Sequence, residues 1–361
     1  MRQLCDADPL LRVLIRPAVM IELAEPEWEA LLPRARVCHL LARLAVEARA
    51  GGFVGKLPAR VQNRLAAAST VAAHHGRTIH WEINRIQRAL QHLDVPIMLL
   101  KGAAYLAAGL PAAKGRLVGD IDIMVPRDAL EAVERALESA GWQPTTFAPY
   151  DQRYYRTWMH ELPPLRHRDR DTLVDVHHAI LPPTSRLKPD PGELWAAARP
   201  LDGSRLHVPA PTDMVLHAAA HLFHDGDLYR SLRNLVDIRD LLVCFAEQPD
   251  FWPSLVPRAG VLDLGRPLFY ALRYCCCLLG TPTPEVVAGA AASFGPPKPI
   301  LHAMDRLVPN ALIPGGSDAA AHRNGAGILL YVRSHWLRMP PWLLVPHLAR
   351  QAIARASQGR E

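Results

Sequence analysis

Met98–Val125, MLLKGAAYLAAGLPAAKGRLVGDIDIMV, is the stretch on which the reading of this chain turns. An apolar run ends at Lys101-Gly102, an Ala/Leu-rich segment follows, and Asp120-Ile121-Asp122 sits inside a second apolar run. Ile97 to Leu100 and Ile121 to Val125 are too short for helices and are flanked by glycines, so the pattern reads strand, turn, helix, loop, strand. Alternate side chains of a strand share a face. Asp120 and Asp122 therefore project together while Ile121 and Ile123 pack behind them. Two carboxylates held side by side repel unless a cation lies between them, and a hard divalent ion with oxygen ligands meets that need. Asp-x-Asp alone reads as a solvated edge strand. The upstream glycine turn, between strand and helix, adds backbone N–H groups able to face a phosphate. Together the two features describe a metal-plus-triphosphate site.

Composition bounds the rest. The 361 residues are 50% hydrophobic and 21% charged, which describes a globular chain and excludes a disordered one. The net charge of +6 and pI near 9.1 suit a polyanionic ligand such as a nucleotide or RNA, although an Arg-rich composition alone gives the same figure. Cys5, Cys38, Cys244 and the run Cys275-Cys276-Cys277 show neither Cys-x-x-Cys spacing nor a disulfide framework, so a reducing compartment is expected. Asp6, Asp8, Pro9, Arg12 and Arg16 interrupt the N-terminal stretch, leaving no apolar core of a secretion signal. No apolar window reaches the length of a membrane span. A soluble cytoplasmic protein is the expectation.

The length favours two modest domains over one large one. Residues 1–93 are expected as an N-terminal helical region, with helices over Trp28–Glu47 and Leu57–Leu93 broken by Gly51-Gly52 and Pro58. His74, His75 and His80 in the second have no cysteine or carboxylate at ligand spacing. Residues 94–210 form the expected catalytic core. In it Arg127–Ala140 reads as a helix stopped by Gly141, and Tyr154–Leu162 and Thr172–Ile180 read as a hairpin joined by RHRDRD. Residues 211–361 are expected as a C-terminal helical domain. Its helices are Pro211–His224, Leu228–Phe245, Trp252–Ala259, Leu264–Leu279, Pro284–Ala291, Pro299–Leu307 and Ala320–Leu337. The run from Met339 to Val345, followed by LARQAIARA, is apolar and then basic. A terminal helix docked on the core is the simpler reading, with peripheral contact to a membrane or partner as the other. Residues 357–361 read as a frayed tail.

In the second hairpin strand Asp175 and His177 share a face with Leu173, opposite Val174 and Val176. An acid among valines needs a partner. Asp175 is the natural third acid for the pair at Asp120 and Asp122; a salt bridge to Arg166, Arg168 or Arg170 is the alternative. His177 either orients a phosphate or covers the hairpin.

Lys101-Gly102, an Ala-rich helix, Arg116, Asp120-Ile121-Asp122 and Asp175-Val176-His177, in that order, resemble the DNA polymerase β type nucleotidyltransferase superfamily. The likeness is narrower to a branch of uncharacterised bacterial nucleotidyltransferases, and covers about residues 80 to 245, including His221 and Asp237-Ile238. The resemblance implies an α/β (α+β) fold, a polymerase β-like core with a small mixed sheet, carrying helical regions before and after. It further implies that Asp120, Asp122 and Asp175 hold Mg²⁺, with Mn²⁺ as a substitute, on a nucleoside triphosphate. By the same resemblance Gly102 and Ala103 form the phosphate turn, and an acceptor oxygen attacks the α-phosphorus with pyrophosphate leaving. Lys101 and Arg116 are candidates for neutralising the triphosphate, and Arg230, Arg233 and Asp237 for lining the cleft. One departure stands out. The superfamily favours Gly-Ser where this chain has Gly102-Ala103, a loss of one hydrogen bond worth roughly 1–2 kcal/mol.

Two local motifs lack their context. His224-Asp225-Gly226-Asp227 echoes a kinase catalytic loop but has no glycine-rich strand loop with it, and His217 and His221 lack the glutamate of a zinc protease helix. The expected activity is thus nucleotidyl transfer to an unidentified small molecule, peptide or RNA, in keeping with an accessory enzyme of a biosynthetic cluster. A non-catalytic nucleotide- or partner-binding relic and a toxin- or antitoxin-type RNA modifier are the competing readings.

Overall fold

A computed structural model describes residues 7–225, 227–313 and 324–340 together with Trp342 and Leu344. The chain opens with four helices, α1 (Pro9–Ile15), α2 (Glu25–Val37), α3 (Leu41–Ala50) and α4 (Ala59–Ala89). The sheet segment follows as β1 (Ile97–Leu99), α5 (Lys101–Ala107), β2 (Ile121–Met124), α6 (Leu130–Ser139), β3 (Trp142–Pro144), α7 (Pro149–Trp158), β4 (Leu165–His167), β5 (Leu173–His177), α8 (Pro191–Ala196), β6 (Arg199–Pro200) and β7 (Leu206–Val208). The remainder is helical: α9 (Pro211–Ala220), a π-helical turn at His221–Asp225, α10 (Leu232–Phe245), α11 (Phe251–Val261), α12 (Gly265–Leu279), α13 (Glu285–Ala292), α14 (Lys298–Leu312) and α15 (Gly325–Arg338).

Seven strands form one mixed sheet in the order β3-β4-β5-β2-β1-β7-β6. The pairs β2/β5 and β1/β7 are parallel, and the others antiparallel. The expected α/β class with a mixed sheet and flanking helices is what the chain adopts. The central strands β1 and β2 are buried at every position, as a strand covered on both faces must be. One continuous apolar core links the N-terminal helices, through Leu10, Trp28 and Leu44, to the sheet, through Ile97, Ile123 and Val176, and to the C-terminal helices, through Leu241, Leu278 and Leu330.

Several expected elements are corrected. The helix over Trp28–Glu47 is two, because His39 takes a left-handed φ of 55° and turns the chain between α2 and α3. A non-glycine residue in that region gives no signal in the sequence. Tyr154–Leu162 is no strand. Its first half belongs to α7, where Tyr154 stacks on Tyr150 and meets Trp158 edge-on, four residues away on either side. The aromatic content suggested β structure; the spacing is that of a helix face. The hairpin is instead β4–β5, closed by a turn in which Asp171 has φ 59°. The helix expected from Arg127 starts with a 3-10 turn at Arg127–Ala129, and that over Pro211–His224 ends in the π-helical turn. The short strands β3, β6 and β7 had no signal long enough to read. Cys5, Gly315-Gly316, the start of the last helix at residues 320–323 and the basic segment after Leu344 lie outside the described residues.

Among the described residues no helix is long and apolar enough to cross a membrane. The described cysteines are free thiols. Two ion pairs, the first buried and the second half-buried, hold the helical layers to one another: Arg43 on α3 with Asp240 on α10, and Arg258 on α11 with Asp213 on α9 at 2.8 Å. Burying charges this way is tolerable only with both partners present.

Candidate active site

The site forms where β2 and β5 run parallel with Asp122 paired in register to Asp175. Register partners on adjacent strands point to the same face, so the two carboxylates are neighbours by construction. Asp120 sits in the bend just before β2 and not on the strand. The three acids still feel one another. Burial and then Asp122 raise the Asp120 carboxyl, and burial, Glu161 and Asp122 push Asp175 up to about 7. Asp122 behaves in the opposite way. Burial disfavours its charge, but Lys101 and His177 outweigh that and hold the carboxyl far below the usual range.

Those two partners approach a single oxygen. Lys101 Nζ lies 2.7 Å and His177 Nε2 3.0 Å from Asp122 Oδ1, and Asp122 is 2% exposed. Lys101 reaches it from the corner between β1 and α5, where its φ of 45° is left-handed. Strain of that kind at a non-glycine residue costs on the order of 1–3 kcal/mol and marks functional corners. Here it turns the ammonium back over β2. Gly102 leaves room for Arg116 beside it: a Cβ there would meet Arg116 Nη1 at 2.6 Å and Val118 Cγ2 at 3.1 Å and push the guanidinium aside.

Next to the acids opens a cleft of about 1210 Å³. Asp120 lies in its wall, along with the guanidinium-bearing residues Arg36 on α2, Arg64 on α4, Arg116, Arg230 and Arg233. Arg116 Nε donates to Asp237 Oδ2 at 2.8 Å. Arg233 Nε is 2.8 Å from Oδ1 of the same acid, though poorly aligned for a hydrogen bond. Asp237 is thus a buried clamp between two cleft arginines. Arg230, with φ 63°, lays its guanidinium over the Tyr229 ring at 4.9 Å. The loop that carries Asp120 is pinned from the N-terminal side, where His75 Nε2 on α4 sits 2.7 Å from the Val118 carbonyl oxygen.

Placement of the expected site residues follows. Asp122, Asp175, His177 and Lys101 come together; Asp120, Arg116, Arg230 and Arg233 line the adjoining cleft. Gly102 is buried beside Arg116, Ala103 is buried in the apolar core, and neither lines the cleft. The arginines expected as alternative partners of Asp175 are engaged elsewhere: Arg166 with Asp171, Arg168 with Asp169 at 3.3 Å, and Arg170 with Glu82 at 2.6 Å. Arg36, Arg64, His160 and Glu161 were not singled out from sequence, because the helices and loop that bring them to the site are remote in the chain.

The sequence profile of a family described as "Uncharacterised nucleotidyltransferase" matches residues 24–280. The chain belongs to that family. No curated protein and no solved structure matches it. In this family member the matched stretch takes in α2 to α12, and so both walls of the cleft as well as the acid-bearing strands.

Buried histidines in and around the site make the fold sensitive to acid. Burial first, and then Lys101, holds His217 down at about 3; burial and Arg333 hold His224 at about 4; and His160 is lowered well below its ordinary value by burial and His177. A histidine lowered in the folded state is favourable above its unfolded pKa of about 6.5, and that advantage is lost as pH falls toward the folded value. Each contributes a slope of about 1.4 kcal/mol per pH unit. Asp175 and His177, both raised, run the other way and offset part of it. We expect the urea midpoint to fall as pH drops from 7 to 5, and His217→Gln to flatten that fall.

Proposed function

We propose that this protein is a divalent-metal-dependent nucleotidyltransferase of the DNA polymerase β type, moving a nucleoside monophosphate from a nucleoside triphosphate to an acceptor oxygen. The side-by-side carboxylates of Asp122 and Asp175 carry the reading. A binding relic has no use for repelling acids held in register at the edge of a basic cleft.

The donor set fits a divalent ion. Asp175 Oδ1 is buried without a hydrogen-bond partner, and both contacts to Asp122 fall on Oδ1, leaving its Oδ2 for an ion. Asp122, Asp175 and His177 each offer one donor atom, all within 4.8 Å of one another. Asp120, Asp122 and Asp175 would hold the ion; oxygen donors of this kind suit Mg²⁺ or Mn²⁺. When bound, it supplies a Lewis acid that neutralises phosphate charge. The protein's own residues do the rest. Arg116 and Arg233, oriented by Asp237, and Arg230, braced on Tyr229, face the triphosphate from one wall. Arg36 and Arg64 extend the same field along the N-terminal wall, where their exposed guanidinium groups draw an anion in. Lys101 holds the Asp122 carboxylate in place.

The test is incubation of the full chain with Mg²⁺ and each α-labelled nucleoside triphosphate, with and without cell extract. Pyrophosphate release or label transfer is expected. None, with any of the four, would overturn the proposal. Arg64→Ala should weaken triphosphate binding by about tenfold at low salt, the scale of one charge-assisted contact, and the difference should shrink as salt rises. Unchanged binding in that variant would remove the N-terminal wall from the substrate site.

A further inference from the structure

Beside the acid cluster, and sharing His177 with it, stands a second group of donors. His160 and Glu161 follow α7 in an extended segment that pairs antiparallel with the end of β5: Glu161 bridges to His177, His178 N donates to the His160 carbonyl at 2.8 Å, and Leu162 N donates to the Val176 carbonyl at 2.9 Å. Backbone bonds on both sides of Glu161 make this a fixed platform. It sets the His160 and His177 rings 5.2 Å apart, centroid to centroid, and brings Glu161 Oε2 to 3.2 Å from His177 Nδ1.

Two imidazole nitrogens in this group are anomalous. His160 Nδ1 and His177 Nδ1 are buried, and neither has an aligned hydrogen-bond partner, although their residues are only 5% and 2% exposed. Buried polar atoms are paired in the great majority of cases, and an orphan needs an explanation. A hydrogen-bonded relay, Glu161 to His177 to Asp122, accounts for His177 and leaves His160 unexplained. A metal ion accounts for both.

We propose that His160, Glu161 and His177 form a second metal site, for a divalent transition-metal ion of the Zn²⁺ type. The three residues each offer a donor atom within 4.8 Å of the others. Two ligand atoms bound to one tetrahedral zinc are roughly 3.3 Å apart, close to the separation between Glu161 Oε2 and His177 Nδ1. Two imidazoles and one carboxylate prefer Zn²⁺, Co²⁺ or Fe²⁺ to Mg²⁺, and three protein ligands leave a position open. The remaining nitrogen of His177, Nε2, is 3.0 Å from Asp122 Oδ1, the outer-shell carboxylate contact that fixes the orientation of a ligating histidine. An ion on Nδ1 keeps the proton on Nε2 and thereby fixes the rotamer of Asp122. His177 is then a positioning residue that joins two metal sites of different chemistry.

Metal bound, not nucleotide transferred, is the readout, so this proposal and the transferase reading stand or fall separately. The full chain is stripped with a chelator and titrated with Co²⁺, and separately with Zn²⁺ by equilibrium dialysis, in excess Mg²⁺ that saturates the oxygen-rich cluster. One equivalent of either ion is expected, with the visible absorption of four- or five-coordinate Co²⁺ and a raised melting temperature. His160→Gln and Glu161→Gln should each weaken binding by at least about tenfold and alter the spectrum, whereas Asp175→Asn should keep it. No Co²⁺ or Zn²⁺ held against Mg²⁺ would overturn the site. So would an unchanged spectrum in Glu161→Gln, which tests the platform even if His160→Gln does not fold, or loss of the spectrum in Asp175→Asn, which would move the ion to the acid cluster.

Discussion

Asp122→Asn is expected to lower nucleotidyl transfer by at least about 10²-fold, the scale for removing one preorganised charged group from a phosphoryl-transfer site. The same substitution has a structural cost. Lys101 is half-buried against Asp122, and an ammonium left there facing a neutral amide costs up to about 3 kcal/mol. Loss of activity alone would therefore not separate a chemical role from a damaged fold. A double variant does. Lys101→Met in the Asp122→Asn background removes the stranded charge, so the urea midpoint should return toward wild type while transfer stays absent. Recovery of transfer in the double variant would show that Asp122 serves only to neutralise Lys101, and would remove it from the chemistry.

The second large effect concerns Asp237. It is 3% exposed and contacts Arg116 Nε and Arg233 Nε at 2.8 Å each. Asp237→Leu leaves two guanidinium groups, both largely buried, without their common partner, and a destabilisation of about 3–5 kcal/mol is expected from chemical denaturation. Asp237→Asn keeps the acceptor oxygen and the shape, and should lose less. Because Arg116 and Arg233 line the cleft, triphosphate binding should weaken in both variants. A variant as stable as wild type would mean that the two arginines are satisfied by the Leu117 and Ala112 carbonyls they also reach.

How much of this was legible in the sequence depends on distance along the chain. Met98–Val125 and Thr172–Ile180 announced strands and a glycine corner, because alternation and punctuation are local signals, whereas Asp120, expected on one strand face with Asp122, lies in the bend before β2. The fold class followed from them. The hairpin partner was misplaced because Tyr154, Tyr155 and Trp158 favour strands by residue type while their spacing serves a helix. The break at His39 was invisible, since left-handed histidine carries no mark. The N-terminal wall of the cleft could not be read. Arg36 and Arg64 are brought to it only by tertiary packing, and Asp237, although picked out with Arg230 and Arg233 as a cleft residue, could not be seen as a clamp between two arginines. Glu161 and His160 looked like the end of a strand. Only their pairing against β5 turns them into donors.

His75 holding the Val118 carbonyl has one more consequence. The helices before residue 94 are not an appendage that can be trimmed to leave a minimal catalytic fragment. They supply one bank of the channel and moor the loop on which the first acid rides, and Arg43 and Arg239 stitch the same helices to α10, at Asp240 and at the Leu14 carbonyl. A shortened protein starting at the sheet would keep its acidic strands and yet face the solvent with an open flank, a broken vessel around sound machinery.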